Sequence, residues 1–338
     1  MLEKGNKMPD ADVVICGAGI MGLSLAVELQ SRGAHVCVVE KAEAGSRTLG
    51  QASWAAAGML AADDPHNPEV LHKLSRWSRE LYDGYLDRLR SLSAQTIPYQ
   101  TNKTLQFLAD GTTMNLVEQS VNPRDVMRGL ESAVEALQIP VRRGFAVAEV
   151  VQEPAGLRVV SEDGESVQGA QVVHAMGAWS ALACNAKPRK GQMMRVRLES
   201  DTVVREAGVY IAPRQFGEQA GTALIGATVE DAGFDTSVQE ESLEWLREYA
   251  ARLLPEIREA ELVETWVGFR PAVPGELPVI GKLEQEERQW VACGHFRNGI
   301  LLAPATACAI ADLLEEKRPP VDLALFAPHG SSLAQGGR

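Results

Sequence analysis

Apolar and polar residues along the first forty positions predict a strand, a tight turn, a helix and a second strand. The segments DVVIC, from Asp12 to Cys16, and HVCVVE, from His35 to Glu40, are nearly continuous apolar runs. Such runs are typical of parallel strands buried on both faces of a sheet. The residues between them begin with a glycine turn and continue as a helix. The pattern therefore predicts a strand–helix–strand unit near the start of the chain.

The next part of the chain predicts two helices and an antiparallel excursion. Helical spacing runs from Pro68 to about Leu92, and a second helix begins at Asn122-Pro123 and continues through Leu137. Alternating segments then follow at 141–152, 156–163 and 170–180. These segments are typical of antiparallel strands that return to the main sheet.

Residues 187–268 have a different pattern of predicted secondary structure, with short strands around one amphipathic helix from Ser242 to Leu254. The chain then predicts a last sheet strand, QWVACGH, and a closing helix, LLAPATACAIADLLEE. We interpret this order as an α/β fold: a Rossmann-like nucleotide-binding domain with an inserted strand-rich α+β substrate domain. The predicted ranges are 11–92, 121–186 and 266–325 for the first domain, 93–120 and 187–265 for the second, and 1–10 and 326–338 for tails.

Composition narrows the class of protein. The net charge of −12 over 338 residues argues against nucleic acid or an anionic membrane as the main partner. The sequence has no apolar run of the roughly 20 residues that a membrane helix needs, and its first residues lack a signal-peptide core. Its five cysteines are scattered without a CxxC pair, and no histidine pair predicts a metal site. We therefore expect a cytoplasmic protein with reduced thiols and no metal.

Gly17, Gly19 and Gly22 form a GxGxxG motif between the first strand and the first helix, which is the context that dinucleotide binding requires. Gly17 permits the turn, Gly19 lets a pyrophosphate approach the backbone, and Gly22 lets helix and strand pack closely. The phosphates would lie on free N–H groups at the positive end of the helix dipole. Glu40 follows at the distance of a ribose-binding acid, although a surface glutamate at a strand end is the alternative.

The dinucleotide is predicted to be FAD rather than a nicotinamide cofactor. The glycine motif lies at the extreme N-terminus, whereas the segments that complete its domain are scattered toward the C-terminus. FAD is long, so a chain commonly returns to it several times. The segment VVHAMGAWS is a strand ending in a glycine-containing turn, which suits a close pass by the cofactor.

Several motifs together resemble those of the glycine oxidases, in the D-amino-acid oxidase group of flavoenzymes. The resemblance runs from about Asp12 to Pro319, and its most specific carriers are GFRPAVPGELPVIG and GHFRNGILLAPAT. It implies oxidation of glycine by oxygen and water to glyoxylate, ammonia and hydrogen peroxide. It also implies noncovalent FAD, a homotetramer and, for many members, a role in supplying thiazole formation in thiamine synthesis.

The resemblance also implies site residues. Substrate contacts fall on Tyr210, Arg270 and Arg297. Two departures from the family pattern, Gly208 and Val229, are predicted to reshape the substrate pocket, and the loop Thr48–Trp54 is longer than usual. The implied cofactor contacts, added to the glycine motif, are Ile20, Met21, Glu40, Lys41, Arg47, Thr48, Ala57, Gly58, Met59, Val147, His295, Phe296, Arg297, Asn298, Gly299, Ile300 and Leu301.

The implied substrate residues suit the chemistry of an amino acid. Arg270 lies between Phe269 and Pro271, and a guanidinium there would grip a carboxylate through two parallel hydrogen bonds. Tyr210 would add a phenolic donor. Arg297 precedes the closing helix, whose N–H groups would stabilise negative charge on the flavin. A surface salt bridge, a core tyrosine and a capping role are the respective alternatives.

The predicted reaction needs no protein acid or base, because a neutral amine can release a hydride from its α-carbon directly to the flavin. Other amine oxidases of the same fold, acting on sarcosine, a D-amino acid or proline, remain open. A dehydrogenase that passes electrons to a quinone is a further alternative. A flavin-binding protein without enzymatic activity is a third.

Overall fold

The computed structural model of the protein describes residues 10–328. Most of the two predicted tails, 1–9 and 329–338, therefore lies outside the described residues. The strands are β1 (Ala11–Cys16), β2 (Val36–Glu40), β3 (Tyr99–Thr101), β4 (Lys103–Phe107), β5 (Thr113–Leu116), β6 (Ser120–Val121), β7 (Val141–Arg143), β8 (Val147–Glu153), β9 (Gly156–Ser161), β10 (Ser166–His174), β11 (Lys187–Arg197), β12 (Thr202–Glu206), β13 (Val209–Arg214), β14 (Thr222–Gly226), β15 (Leu262–Ala272), β16 (Val279–Lys282) and β17 (Gln289–Cys293).

The five longer helices agree in place with the predicted ones and differ from them by a few residues at their ends, whereas two short helices, Ala52–Ala55 and Ala181–Cys184, were not predicted. A short 3-10 turn, Glu69–Leu71, precedes the third helix, and three more 3-10 turns lie at Gly177–Trp179, Pro255–Glu259 and Ala324–Phe326. The α-helices are α1 (Ile20–Ser31), α2 (Ala52–Ala55), α3 (His72–Ser93), α4 (Pro123–Ala136), α5 (Ala181–Cys184), α6 (Glu240–Leu253) and α7 (Gly299–Leu314).

The first sheet has the order β16-β17-β10-β1-β2-β7, with β9 and β8 added beside β10. Strands β17, β10, β1, β2 and β7 are parallel, which explains why β1, β2 and β17 are almost entirely apolar and buried. Strands β8, β9 and β10 pair antiparallel, so the predicted excursion that returns to the main sheet is confirmed.

One face of this sheet is covered by helices α1, α3, α4 and α7, which share the largest hydrophobic core. Helix α7 is apolar on nearly all sides, and most of its residues, from Ile300 to Ala311, are buried. Such a helix is stable only when other elements surround it. Helix α4 begins as predicted, because Asn122 caps it by accepting from the N–H of Arg124 and Pro123 fills its first turn.

The second sheet has the order β15-β11-β14-β13-β12-β4-β5 and is mostly antiparallel. Helix α6 packs on it through a separate core that includes Leu246 and Ile257. Strand β15 pairs with β11 along nearly its whole length, from Ala272 to Leu262. The predicted domain boundary at residue 266 therefore falls inside one continuous strand, and the division into domains stays a prediction.

Phe326, at the start of the predicted C-terminal tail, is buried with only 3% of its surface exposed. It belongs to the same apolar cluster as Ile280 and Trp290, so the core extends at least to this residue. Burying a phenylalanine side chain stabilises the folded state by about 1.5–3 kcal/mol, which favours packing this segment against the core. Within residues 10–328, no helix combines the length and the apolar character that crossing a bilayer requires.

Candidate functional site

The glycine motif forms a tight cradle between β1 and α1. Gly17 has φ +106°, and a β-carbon there would lie 2.7 Å from the carbonyl oxygen of Ala175. A β-carbon on Gly22 would lie 1.9 Å from the carbonyl oxygen of Gly17. Gly19 differs, because its φ of −77° suits any residue and its β-carbon would meet only the Ser53 hydroxyl, at 3.5 Å. Two glycines are thus required by packing, and Gly19 keeps space open.

Helix α1 directs its N-terminus into the same space. Gly19 is its N-cap and supplies no side-chain cap, and the N–H of Ile20 donates to the Ser53 hydroxyl at 3.0 Å. The N–H groups at a helix start and the positive end of its dipole favour an anion. Ser53 was missed from the sequence, because nothing in its local pattern shows that its loop returns to the first helix.

Glu40 lies at the end of β2 beside the cradle and is 8% exposed. Its Oε2 accepts from the N–H of Ala18 at 2.7 Å, and its Oε1 accepts from the N–H of Ala42 at 3.0 Å. Each carboxylate oxygen has further lone pairs for another donor. The surface-glutamate alternative is therefore not what the structure shows: the carboxylate is held by backbone N–H groups next to the glycine turn.

A cavity of about 540 Å³ runs from this cradle to the second sheet. Both sheets border it, since Glu40 lies at its first-sheet end and Tyr210 at its second-sheet end. The turn Ala175–Trp179 also borders it, as the glycine-containing VVHAMGAWS segment predicted. The predicted site residues that line it are Gly17, Gly19, Ile20, Met21, Glu40, Lys41, Thr48, Ala57, Gly58, Met59, Val147, Tyr210, Arg270, His295, Phe296, Arg297, Asn298, Gly299 and Ile300.

Three predicted residues are not brought to the cavity. Gly22 lies behind the turn, where it packs against Gly17. Leu301 is 2% exposed within the helical core. Arg47 makes two hydrogen bonds to Glu131, of 2.6 and 2.7 Å, and its guanidinium stacks on the Trp54 ring. Arg47 therefore does not line the cavity, and its contact with a cofactor stays a prediction.

Arg270 occupies the second-sheet end of the cavity, on β15. Its guanidinium lies over Gly191, where a β-carbon would be 2.5 Å from Nη1, and Nη1–H donates to the carbonyl oxygen of Thr228 at 3.0 Å. No carboxylate of residues 10–328 lies within 4.0 Å of its nitrogens. Burial lowers the pKa of Arg270, and Tyr210 and Glu230 oppose this effect. A half-buried guanidinium without a carboxylate partner among the described residues suits an incoming anion.

Tyr210, on β13, lies beside Arg270. Burial raises its pKa, while the charges of Arg270 and Arg297 lower it. The net upward shift keeps the phenol protonated at neutral pH, so it can donate a hydrogen bond into the cavity. The structure therefore brings Tyr210, Arg270 and Arg297 together as the sequence predicted, although their roles stay a prediction.

Arg297 lies in the turn between β17 and α7. Its side chain is exposed, and Nη2–H donates to the carbonyl oxygen of His66 at 3.4 Å. The turn needs left-handed backbone at Gly294 (φ +73°) and at Phe296 (φ +46°). Helix α7 then begins with Asn298 as a cap that makes no side-chain capping bond. The free N-terminus of this helix faces the cavity, as predicted.

Two further lining residues, Gln51 and Trp179, were not singled out from the sequence, although both lie in segments that the sequence analysis named. Gln51 borders the cavity, and its buried Oε1 has no hydrogen-bond partner among the described residues. Trp179 supports Lys41, whose Nζ lies 3.7 Å from the centre of the indole ring, and stacks on Phe234. These contacts join loops that are far apart in the chain, so only the tertiary structure reveals them.

The two departures from the family pattern both border the cavity at its second-sheet end. Gly208 has φ +97°, and a β-carbon there would meet nothing within 4 Å. Val229 borders the cavity and is 54% exposed. The cavity wall is thus open beside Tyr210. Among residues 10–328, no group of three or more histidine, cysteine, aspartate or glutamate side chains is arranged to hold a metal.

Comparison with known proteins places these observations in a family. The DAO family, described as FAD dependent oxidoreductase, matches residues 12–120 and 116–313. Glycine oxidase of Pseudomonas putida is 30% identical over 369 aligned positions, which cover 94% of this chain and 98% of that protein. The crystal structure of glycine oxidase from Geobacillus kaustophilus superposes with a TM-score of 0.86 at 27% identity, covering 94% and 98% of the two chains.

A bifunctional protein ThiO/ThiG of Nostoc sp. is 31% identical over 91% of this chain. The aligned region covers 53% of that protein, so the chain spans about half the length of this relative. The similarity is therefore to one part of a two-part protein.

Proposed function

The chain belongs to the DAO family of FAD-dependent oxidoreductases, and from this premise we propose that it catalyses the oxidative deamination of glycine and other small amines or amino acids. The reaction consumes oxygen and water and releases the 2-oxo acid, which is glyoxylate from glycine, together with ammonia and hydrogen peroxide. The glycine oxidases of similar length support this proposal.

The observation that carries the proposal is the pair Arg270 and Tyr210 at one end of the cavity. The guanidinium has no carboxylate partner among residues 10–328, and the phenol beside it is protonated. Together they offer two kinds of hydrogen-bond donor to a substrate carboxylate. The low dielectric of the cavity strengthens such a charge-assisted pair, and a guanidinium fixes the orientation of a carboxylate as well as its position.

The other end of the cavity fits FAD. The open side of Gly19 and the free N-terminus of α1 would receive the pyrophosphate, and Glu40 would accept from the ribose hydroxyls. The N-terminus of α7 and the turn from His295 to Asn298 would lie along the flavin ring. The backbone at the N-termini of α1 and α7 supports this fit, because neither helix start is capped by a side chain.

Bound FAD would supply the redox chemistry by accepting a hydride from the substrate α-carbon. The protein residues then bind, orient and exclude water. Arg270 and Tyr210 would hold the substrate carboxylate, and the helix α7 N-terminus would stabilise negative charge near the ring. His295 is neutral, since burial lowers its pKa to about 3, and its Nε2 is 3.0 Å from the Thr306 hydroxyl. His295 therefore lines the cavity and does not act as a base.

Substrate preference within the family is part of the proposal. The open wall at Gly208 and Val229 leaves room beyond what glycine needs, which favours sarcosine or a small D-amino acid as additional substrates. An oxidase or dehydrogenase of the same fold with one of these as main substrate is therefore the second candidate.

We also propose that the FAD is noncovalent, that the protein is a homotetramer in the cytoplasm, and that its product supplies thiazole formation in thiamine synthesis. The relatedness to ThiO/ThiG supports the last point. Denaturation followed by filtration checks the flavin, because noncovalent FAD passes through the filter. Light scattering checks the oligomer, and growth of a deletion strain without thiamine checks the pathway role.

The test of the function itself is an anaerobic screen in which the purified holoenzyme is mixed with glycine, sarcosine, D-alanine, D-proline and carboxylate-free amines. We expect the flavin to bleach with the small amino acids and oxygen uptake to follow when air is admitted. Bleaching without oxygen uptake would favour a dehydrogenase. Bound NAD, or a flavin that no amine bleaches, would contradict the proposal.

A further inference from the structure

Two cysteines pack in one cluster beside the cavity, only one of them lines it, and the proposed reaction does not use either of them. Cys293 ends β17, is 1% exposed and borders the cavity. Cys184 ends α5 and is partly exposed. Both side chains belong to one small apolar cluster that also contains Val273 and Val291. The two thiols are thus near each other in space although 109 positions separate them in the chain.

One turn holds both thiols. The thiol of Cys293 donates to the carbonyl oxygen of Gly177 at 3.2 Å, and the thiol of Cys184 donates to the carbonyl oxygen of Ser180 at 3.5 Å. Gly177 to Trp179 also border the cavity, where Lys41 lies over the Trp179 ring. Because both thiols are hydrogen-bonded to carbonyl oxygens of one short turn, the turn holds the two side chains in the same small region.

The environment also differentiates the two thiols. Contact with Cys184 is the main cause that lowers the pKa of Cys293, and burial opposes it. The pKa of Cys184 is raised, first by its contact with Cys293 and then by burial. By contrast, burial raises the pKa of Cys16 to about 12 and that of Cys308 to about 11. Of these four thiols, only Cys293 has a lowered pKa, which makes it the one with the greatest tendency to ionise.

We propose that Cys184 and Cys293 form a peroxide-sensitive thiol pair, in which Cys293 is the site of oxidation and Cys184 is the resolving thiol. The proposal rests on the proposed function, since the oxidant is the hydrogen peroxide released into the same cavity. The proposal adds a modification site, Cys293, to the cavity that Arg270 and Tyr210 also line.

The chemistry balances in two steps. The Cys293 thiolate attacks one oxygen of hydrogen peroxide, the O–O bond breaks, and Cys293 becomes a sulfenic acid while hydroxide leaves and takes up the thiol proton as water. The Cys184 sulfur then attacks the sulfenic sulfur, the S–O bond breaks, and a second water leaves as the disulfide forms. Two thiols are oxidised by two electrons in total, and one hydrogen peroxide is reduced to two waters.

The experiment treats the purified holoenzyme with added hydrogen peroxide in the absence of any amine. Free thiols are then alkylated under denaturing conditions, and the peptides are identified by mass spectrometry before and after reduction. We expect a linked peptide that joins Cys184 to Cys293, while Cys16 and Cys308 remain alkylated as free thiols. If Cys184 and Cys293 stay as reduced as Cys16, the proposal is overturned.

Variants separate the two roles. In Cys184→Ala, or in Cys184→Ser should alanine impair folding, we expect the peroxide to carry Cys293 on to sulfinic acid, because no resolving thiol remains. The matched control Cys308→Ala removes another partly buried thiol and should still form the Cys184–Cys293 link. A sulfinic acid that appears on Cys184 instead, in the unchanged protein, would contradict the assignment of the two roles.

A turnover arm distinguishes this proposal from the proposed function. The holoenzyme is incubated with glycine or sarcosine and oxygen, with and without catalase, and the same peptides are measured. Linkage that catalase prevents supports both proposals. Linkage with added peroxide but not with any amine sustains the thiol pair and counts against the oxidase function, whereas an active oxidase without linkage under either condition overturns the thiol pair alone.

Discussion

The two ends of the cavity are built in different ways. At the first-sheet end, backbone N–H groups, small residues and one carboxylate held by the backbone make the site. At the second-sheet end, long side chains from separate strands, Arg270 and Tyr210, make it. A site made of backbone groups tolerates a substitution only if the new side chain stays out of the ligand's space. A site made of side chains can lose one function and keep the fold, so the two ends should fail differently when altered.

The largest expected effect is at the backbone end. Gly19→Val should abolish FAD binding, because the new side chain would project into the space that the pyrophosphate needs. The fold should persist, since the backbone of Gly19 is in an ordinary extended conformation and its β-carbon would meet only the Ser53 hydroxyl at 3.5 Å. Flavin absorbance and circular dichroism of the purified variant measure the two effects.

Gly84→Ala is the matched control for that variant. Gly84 lies within α3, and a β-carbon there would meet nothing within 4 Å. We expect normal FAD content and a gain of up to about 1 kcal/mol in stability from the better helix former. A folded Gly19→Val protein with full FAD content would show that the glycine cradle does not hold the cofactor.

The next effect is at the side-chain end. Arg270→Ala should keep FAD and fold but lose about 3–5 kcal/mol of transition-state stabilisation, as when one partner of a buried charge pair is removed. The specificity constant for glycine should therefore fall about a hundredfold to a few thousandfold. Arg270→Lys should recover part of the loss, because an ammonium lacks the paired geometry of a guanidinium. Steady-state kinetics measure each change.

Amines without a carboxylate provide the internal control for Arg270. They do not use the guanidinium, so their oxidation should be nearly unaffected by Arg270→Ala. Equal losses for glycine and for such an amine would move Arg270 from substrate binding to a structural role.

Acid should lower the free energy of unfolding through His295, which lies in the cavity wall between the two ends. Burial lowers the pKa of His295 to about 3 in the folded protein, whereas an unfolded histidine titrates near 6.5. Between these values the unfolded state binds more protons, so stability falls as pH falls, by up to about 1.4 kcal/mol per pH unit. The contribution is complete above the unfolded pKa. Urea denaturation between pH 7 and pH 4 measures the slope.

His295→Gln removes this titration and should flatten part of that slope, while its amide can still hydrogen-bond to Thr306. The remaining slope would include His174, whose pKa burial also lowers. An unchanged slope in His295→Gln would mean that His295 binds protons equally in the folded and unfolded states, so that burial does not lower its pKa.

The smallest effect concerns Arg47, which the structure pairs with Glu131 instead of directing to the cavity. Both side chains are about 30% exposed, so Arg47→Ala should cost no more than about 1 kcal/mol from the ion pair, with a similar amount from the stacking on Trp54. FAD content should be unchanged. Loss of flavin comparable with that of Gly19→Val would place Arg47 at the cofactor after all.

Local residue patterns account for the elements and for part of the glycine motif. Buried parallel strands are continuous apolar runs, Gly17 has the left-handed backbone of a tight turn and Gly22 packs against Gly17, and Asn122-Pro123 starts a helix through contacts within one turn. These features depend on neighbours a few positions away, so the order of residues contains them. The same locality explains why most predicted helices and strands differ from the observed ones only at their ends.

Which side chains meet depends on how distant segments pack together. Arg47 and Ser53 are close in the chain, yet Glu131 directs the first away from the cavity and the second bonds to the N-terminus of α1. The pairing of Cys184 with Cys293 follows from β17 and the Gly177–Ser180 turn packing together. Such contacts depend on the arrangement of distant elements around a shared core, and no local pattern of residues specifies that arrangement.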